Sequence, residues 1–94
     1  MLIIQTTPAI AVQFEHPVNP NGTRSTVCRI YKDISGSWAE KPCAVGTTTC
    51  SKSDNFNKAV GRKYALSRAL LDNRHIFSKP TRKAIWETYR EMCR

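Results

Sequence analysis

The spacing of apolar residues changes once along this chain, and that change limits what it can fold into. From Leu2 to Thr49 apolar and β-branched residues gather in short, alternating runs, whereas from Ser53 onward they recur at helical spacing. The order is therefore sheet first, helices second. Pro17-Val18-Asn19-Pro20-Asn21-Gly22 is dense in turn-forming residues and separates an opening segment from Thr23 to Ile34. In that second run Cys28, Ile30 and Ile34 fall on one face and Val27, Arg29 and Tyr31 on the other, the best strand pattern present. Leu2 to Thr7 and Ala9 to Phe14 read as strands interrupted by Pro8. Ser35-Gly36-Ser37 turns the chain so that Trp38 to Val45, with Thr47 to Thr49, returns as an antiparallel hairpin.

The expectation is an α+β fold: a small antiparallel sheet of three to four strands followed by two C-terminal amphipathic helices. With 94 residues it forms a single domain, in which 1–22 supply N-terminal strands and a turn, 23–50 the sheet and 53–93 the two helices. A domain this small buries only about two-thirds of the surface its unfolded chain exposes, so a partner subunit would help it.

Ser53 serves as N-cap for the first helix, with Asp54 favourably placed in its first turn. Phe56, Ala59, Val60, Tyr64, Leu66, Leu70 and Leu71 make one broad stripe to lie on the sheet, with Lys63 and Ser67 inside it. Gly61 costs a helix about 1 kcal/mol relative to alanine and marks either packing on the sheet or close approach of a backbone or ligand. The second helix starts near Ser78, with Pro80 in its first turn. Its stripe of Ile85, Trp86, Tyr89, Met92 and Cys93 is buried or forms a subunit contact, and Arg82 shares that face. A guanidinium there either snorkels to water or binds a phosphate.

Charge follows the same division. Arg24, Arg29, Lys32 and Lys41 face Glu15, Asp33 and Glu40 in residues 1–50, a formal +1, while residues 51–94 carry the other eleven Lys and Arg against Asp54, Asp72, Glu87 and Glu91, a formal +7. A basic half of this kind points to nucleic acid, nucleotides or an anionic surface, beside the ordinary reading as a solvated face. The four cysteines, Cys28, Cys43, Cys50 and Cys93, form no Cys-x-x-Cys pair, and His16 and His75 stand at no ligand spacing from them. No metal and no cofactor are expected. Reduced thiols in a cytosol follow as the default, since the N-terminus lacks the pattern of a secretory signal and no apolar run is long enough to span a bilayer. No Ser-His-Asp order, glycine-rich phosphate loop or paired His-x-Thr/Ser element is evident, so the chain is not expected to be an enzyme and no catalytic residue is assigned.

Asp54-Asn55-Phe56, Lys58, Gly61-Arg62-Lys63, Ala65-Leu66 and Arg68-Ala69-Leu70, followed by Arg82, Ile85-Trp86 and Tyr89, resemble a family of small phage-encoded proteins, the type 1 Thoeris anti-defence proteins. The likeness covers roughly residues 24 to 90 and includes the strand-then-helix order. It implies a sponge that binds a cyclic ADP-ribose isomer, or another cyclic nucleotide, in the host cytosol without cleaving it, and it implies a homodimer or higher homo-oligomer. By carry-over Phe56 stacks on the adenine and Arg82 binds phosphate. Arg24 closes the pocket, across a dimer interface as in the family. Lys63 joins them from its helical position, and the chemistry matches a ligand with a pyrophosphate and a ring. The competing expectation is a phage inhibitor that binds nucleic acid or protein, in the manner of an anti-CRISPR protein, using its basic half on phosphates.

Overall fold

The computed structural model describes residues 2–6, 9–34, 36–50 and 57–92. It is α+β, with five strands, β1 (Leu2–Ile4), β2 (Ile10–Glu15), β3 (Arg24–Ile34), β4 (Ser37–Trp38) and β5 (Ala44–Cys50), followed by helices α1 (Lys58–Asp72) and α2 (Lys79–Met92). All pairings are antiparallel: β1 with β2, β2 with β3, and β3 with both β5 and β4 along its other edge. The run expected to return as one strand divides into β4, two residues long, and β5, separated by Ala39–Cys43. Pro42 lies in that gap and has no N–H to give a ladder. The β2–β3 turn falls where its sequence places it, with Gly22 at φ 84° and the Asn19 side chain donating to Thr23 Oγ1 and Ser25 Oγ at 2.9 Å each.

Alternation places Cys28 and Ile30 on the inner face as read, while the side chain of Ile34 lies outside the described residues. Val12, Cys28, Ile30 and Ala44 turn toward the helices and join Leu66, Leu70, Phe77 and Ile85 in one core. Burying a side chain such as Ile30, Leu66 or Ile85 stabilises the fold by about 1.5–3 kcal/mol each. Cys28, fully enclosed in this layer, has its thiol pushed up to about 12 by burial, and Cys43 donates from Sγ to Ile30 O at 3.3 Å.

The first helix departs from expectation at its start and in its facing. Asn57, not Ser53, is the N-cap: its Oδ1 accepts from Ala59 N at 2.9 Å and Val60 N at 3.2 Å, satisfying two of the four N–H groups that a helix start leaves over. Ser53 and Asp54 lie outside the described residues, and the first turn of α1 holds no acidic residue. The buried face is Gly61, Ala65, Leu66, Ala69 and Leu70. Lys63 and Ser67, expected against the sheet, are exposed, as are Val60 at 47 %, Tyr64 at 58 % and Leu71 at 60 %. The cause is on β5. A Cβ added to Gly46 would overlap Ala65 O and Ala69 N and come within 2.9 Å of Ala69 Cα, so the helix backbone rests directly on the strand. Such an approach admits only small residues, and Gly61, Ala65 and Ala69, four apart, supply them. The larger residues rotate aside or outward. For Gly61, of its two readings, packing on the sheet is the one that its burial beside Ala65 and Ala69 supports.

At the far end Asn73 closes α1 by donating from Nδ2 to Ala69 O at 2.9 Å. Ser78 precedes α2 and accepts from Thr81 N at 3.4 Å, so the second helix begins where its sequence places it. Ile85 and Tyr89 are buried, Trp86 is half-buried and Met92 exposed, while Cys93 lies outside the described residues. No described helix is long and apolar enough to cross a membrane.

Gly46→Ala should lower the unfolding free energy by about 1–3 kcal/mol or more, since neither Ala65 O nor Ala69 N can yield without lifting α1. Urea titration followed by circular dichroism measures this, and a neutral result would mean that the helix does not sit as described.

Candidate anion-binding groove between the helices

α1 lies over β5 and β3 while α2 reaches β1, so a furrow is left between the helices on the side away from the sheet. Ile85 and Tyr89 anchor α2 inward, and residues of the same helix at spacings of three and four therefore line the furrow from one side. Residues 63, 64, 67, 70 and 71 of α1 line it from the other. The helices run antiparallel along it: Lys63 and Tyr64 stand with Tyr89 and Arg90, whereas Leu70 and Leu71 stand with Lys79 and Arg82.

The furrow has two compartments. One, about 510 Å³, is lined by Lys63, Tyr64, Ser67, Trp86, Tyr89 and Arg90. The other, about 410 Å³, has Lys79, Arg82 and Lys83 on one wall and Leu70 and Leu71 on the other, with Ser67 and Trp86 again contributing. Both volumes lie within the range of about 300–1,000 Å³ typical of small-molecule sites. Trp86 packs edge-on to Tyr89, with centroids 5.8 Å apart and planes at 85°, and Tyr89 meets Phe14 at 6.1 Å, so the aromatic side of the groove is fixed to the sheet.

Among the described residues, five cations and no carboxylate line the two compartments. Arg82 is half-buried, and its Nε is enclosed without a hydrogen-bond partner. A donor left this way favours an anion as its acceptor, because a guanidinium in a shielded place attracts phosphate or carboxylate more strongly than it would in water.

Of the residues singled out in the sequence, Lys63 and Arg82 border this groove, one in each compartment. Lys63 arrives there by facing outward, not by lying on the sheet-facing stripe. Phe56 lies outside the described residues. Arg24 is not among the lining residues: it opens β3, and its Nη2 donates to His16 O at 3.4 Å. Trp86, Tyr64, Lys79, Lys83 and Arg90 carry the rest of the groove and were not assigned from sequence as ligand contacts. For the four on α2 the signal is the spacing of 79, 83, 86 and 90 on one side of the helix. Among the described residues no three His, Cys, Asp or Glu side chains are grouped to hold a metal ion.

Arg24 belongs to a second basic neighbourhood. The Nδ1 of His16 is 3.0 Å from Oγ1 of buried Thr26, and its pKa lies below the ordinary 6.5 because of burial first, then the charges of Arg62, Lys58 and Arg24. Comparison with protein-family models, curated proteins and solved structures finds no match to this chain.

The lowered pKa has a definite pH consequence. The folded chain favours neutral imidazole and the unfolded chain takes up the proton first, so the His16 contribution is complete above about 6.5 and is lost as pH falls through the lowered folded value. Urea denaturation at a series of pH values from 7.5 to about 5 should show a steeper loss of stability in the wild type than in His16→Gln. Equal slopes in the two proteins would contradict the assignment.

Proposed function

We propose that this chain binds a nucleotide-type anion in the groove between α1 and α2 and holds it without cleaving it. What carries the reading is the convergence, in one furrow, of Lys63, Lys79, Arg82, Lys83 and Arg90 with the rings of Tyr64, Trp86 and Tyr89. Phosphate requires the first set and a purine face the second. The resemblance to Thoeris anti-defence proteins supplies the finer form of the proposal. The ligand is then a cyclic ADP-ribose isomer, the setting is the host cytosol during phage infection, and the result is an alarm signal withheld from its effector, with the sponge working as a homo-oligomer.

A second reading has one observation in its favour. The cations stand along both helices at the rim of an open furrow, an arrangement that can also follow the phosphate backbone of a nucleic acid in a phage inhibitor of a host nuclease.

Incubation with a cyclic ADP-ribose isomer should raise the melting temperature, since a ligand present at a hundredfold over its Kd stabilises the folded state by about 2.7 kcal/mol. Heat denaturation of the complex should then return the ligand intact. Arg82→Gln should weaken uptake by about tenfold or more, through loss of a charge-assisted hydrogen bond. Degraded ligand would replace the sponge by an enzyme. No shift with any cyclic nucleotide, together with steeply salt-dependent binding to DNA or RNA, would favour the second reading.

A further inference from the structure

The two compartments differ in chemistry and meet at a single pair of residues. Tyr64 and Tyr89, flanked by Lys63 and Arg90, occur only in the first, and Lys79, Arg82 and Lys83, opposite Leu70 and Leu71, only in the second, while Ser67 and Trp86 belong to both. Ser67 is the smallest side chain on either wall and is exposed on α1 between Tyr64 and Leu71, where a heptad-like seam would ordinarily carry a large apolar residue. A bulkier residue at 67 would divide the furrow in two. Serine sets the least side-chain bulk where the two compartments share their lining with Trp86.

We propose that Ser67 and Trp86 form a waist through which one ligand occupies both compartments, its ring against Tyr64 and Trp86 and its phosphates against Lys79, Arg82 and Lys83. The inference rests on the groove being the ligand site and adds how the ligand lies in it: ring and diphosphate on opposite sides of the waist, with the phosphates toward the start of α2. Tyr64 and Leu71 are separated along α1 by about 10 Å at 1.5 Å per residue, a span that a ring joined through a sugar to a pyrophosphate can cover and a nucleoside or a free phosphate cannot. A ring alone meets the aromatic compartment, and a free pyrophosphate meets cations without a ring contact. Joining the halves makes the second contact intramolecular, so the joined ligand gains affinity without any new contact.

The groove thereby becomes a discriminator of connectivity as well as of charge. Inorganic pyrophosphate satisfies the cations but leaves the rings bare. Adenosine does the reverse. A nucleoside diphosphate does both, and Ser67 is the position at which that advantage can be removed without deleting a cation or an aromatic ring.

Isothermal titration of the full chain with ADP, adenosine and pyrophosphate at one fixed ionic strength tests this. ADP should bind tighter than either half by about tenfold or more. Ser67→Phe should reduce ADP to about the affinity of pyrophosphate and leave pyrophosphate itself within about twofold. Tyr64→Ala should weaken ADP and adenosine but not pyrophosphate, and Lys83→Gln should weaken ADP and pyrophosphate but not adenosine. Residue 67 is exposed on a helix, so circular dichroism should show Ser67→Phe as folded as the wild type. If ADP binds and Ser67→Phe leaves it unaffected, or weakens all three probes alike, the waist is wrong although the groove remains a site. If none of the three probes binds, the groove reading falls with it.

Discussion

Everything on the helical side of this molecule depends on how closely α1 approaches β5. The absence of a Cβ at Gly46 lets the strand meet the helix backbone at Ala65 and Ala69, and this contact fixes the rotation of α1 about its axis. Once the small face of Gly61, Ala65 and Ala69 is directed at the strand, Leu66 and Leu70 enter the core from its flanks, and Val60, Tyr64 and Leu71 are turned away from it. Lys63 and Ser67 follow by geometry alone. The outward turn that leaves three large apolar residues exposed is also what lines the furrow with Tyr64, Ser67 and Leu71 facing α2.

α2 completes the furrow by a different logic. Its inward residues are large, Ile85 and Tyr89, so it stands off from the sheet on side chains where α1 sits down on backbone. Two helices seated at different heights and over different strands cannot pack along their whole length. The space between them takes the side chains that neither core can accept, and in a chain whose helical half is formally +7 these are chiefly cations. The positive field is therefore a product of the packing and not a decoration applied to it. Trp86, half-buried and edge-on to Tyr89, gives this field an aromatic floor.

The sequence made the sheet legible because alternation is a local signal: Cys28 and Ile30 against Arg29 and Tyr31 fixes both the strand and its faces. The division of the last hairpin into β4 and β5 was less visible, since it depends on which part of β3 each segment meets. For α1, ranking residues by hydrophobicity selected Val60, Tyr64 and Leu71, whereas the contact selects by volume. The four-residue recurrence of Gly61, Ala65 and Ala69 was present in the chain, but its meaning required Gly46, which lies fifteen positions before Gly61 and on another element. The start of the helix read from sequence at Ser53 lies four residues before Asn57, whose side chain accepts from the first turn. Arg82 could be placed beside Trp86 from spacing alone, because i and i+4 share a face. That Lys63 would line the same furrow, and that Arg24 would instead sit with His16, depends on long-range pairing that no local pattern encodes.

The central claim is that anionic ligands are received between the helices and not by the basic neighbourhood of His16, Arg24, Lys58 and Arg62. Amide chemical-shift mapping of the isotope-labelled chain during titration with ADP separates the two directly. The account requires the largest changes along residues 63–71 and 79–90, saturating together at one Kd. Changes confined to residues 16–26 and 57–62, with the furrow silent, would contradict it.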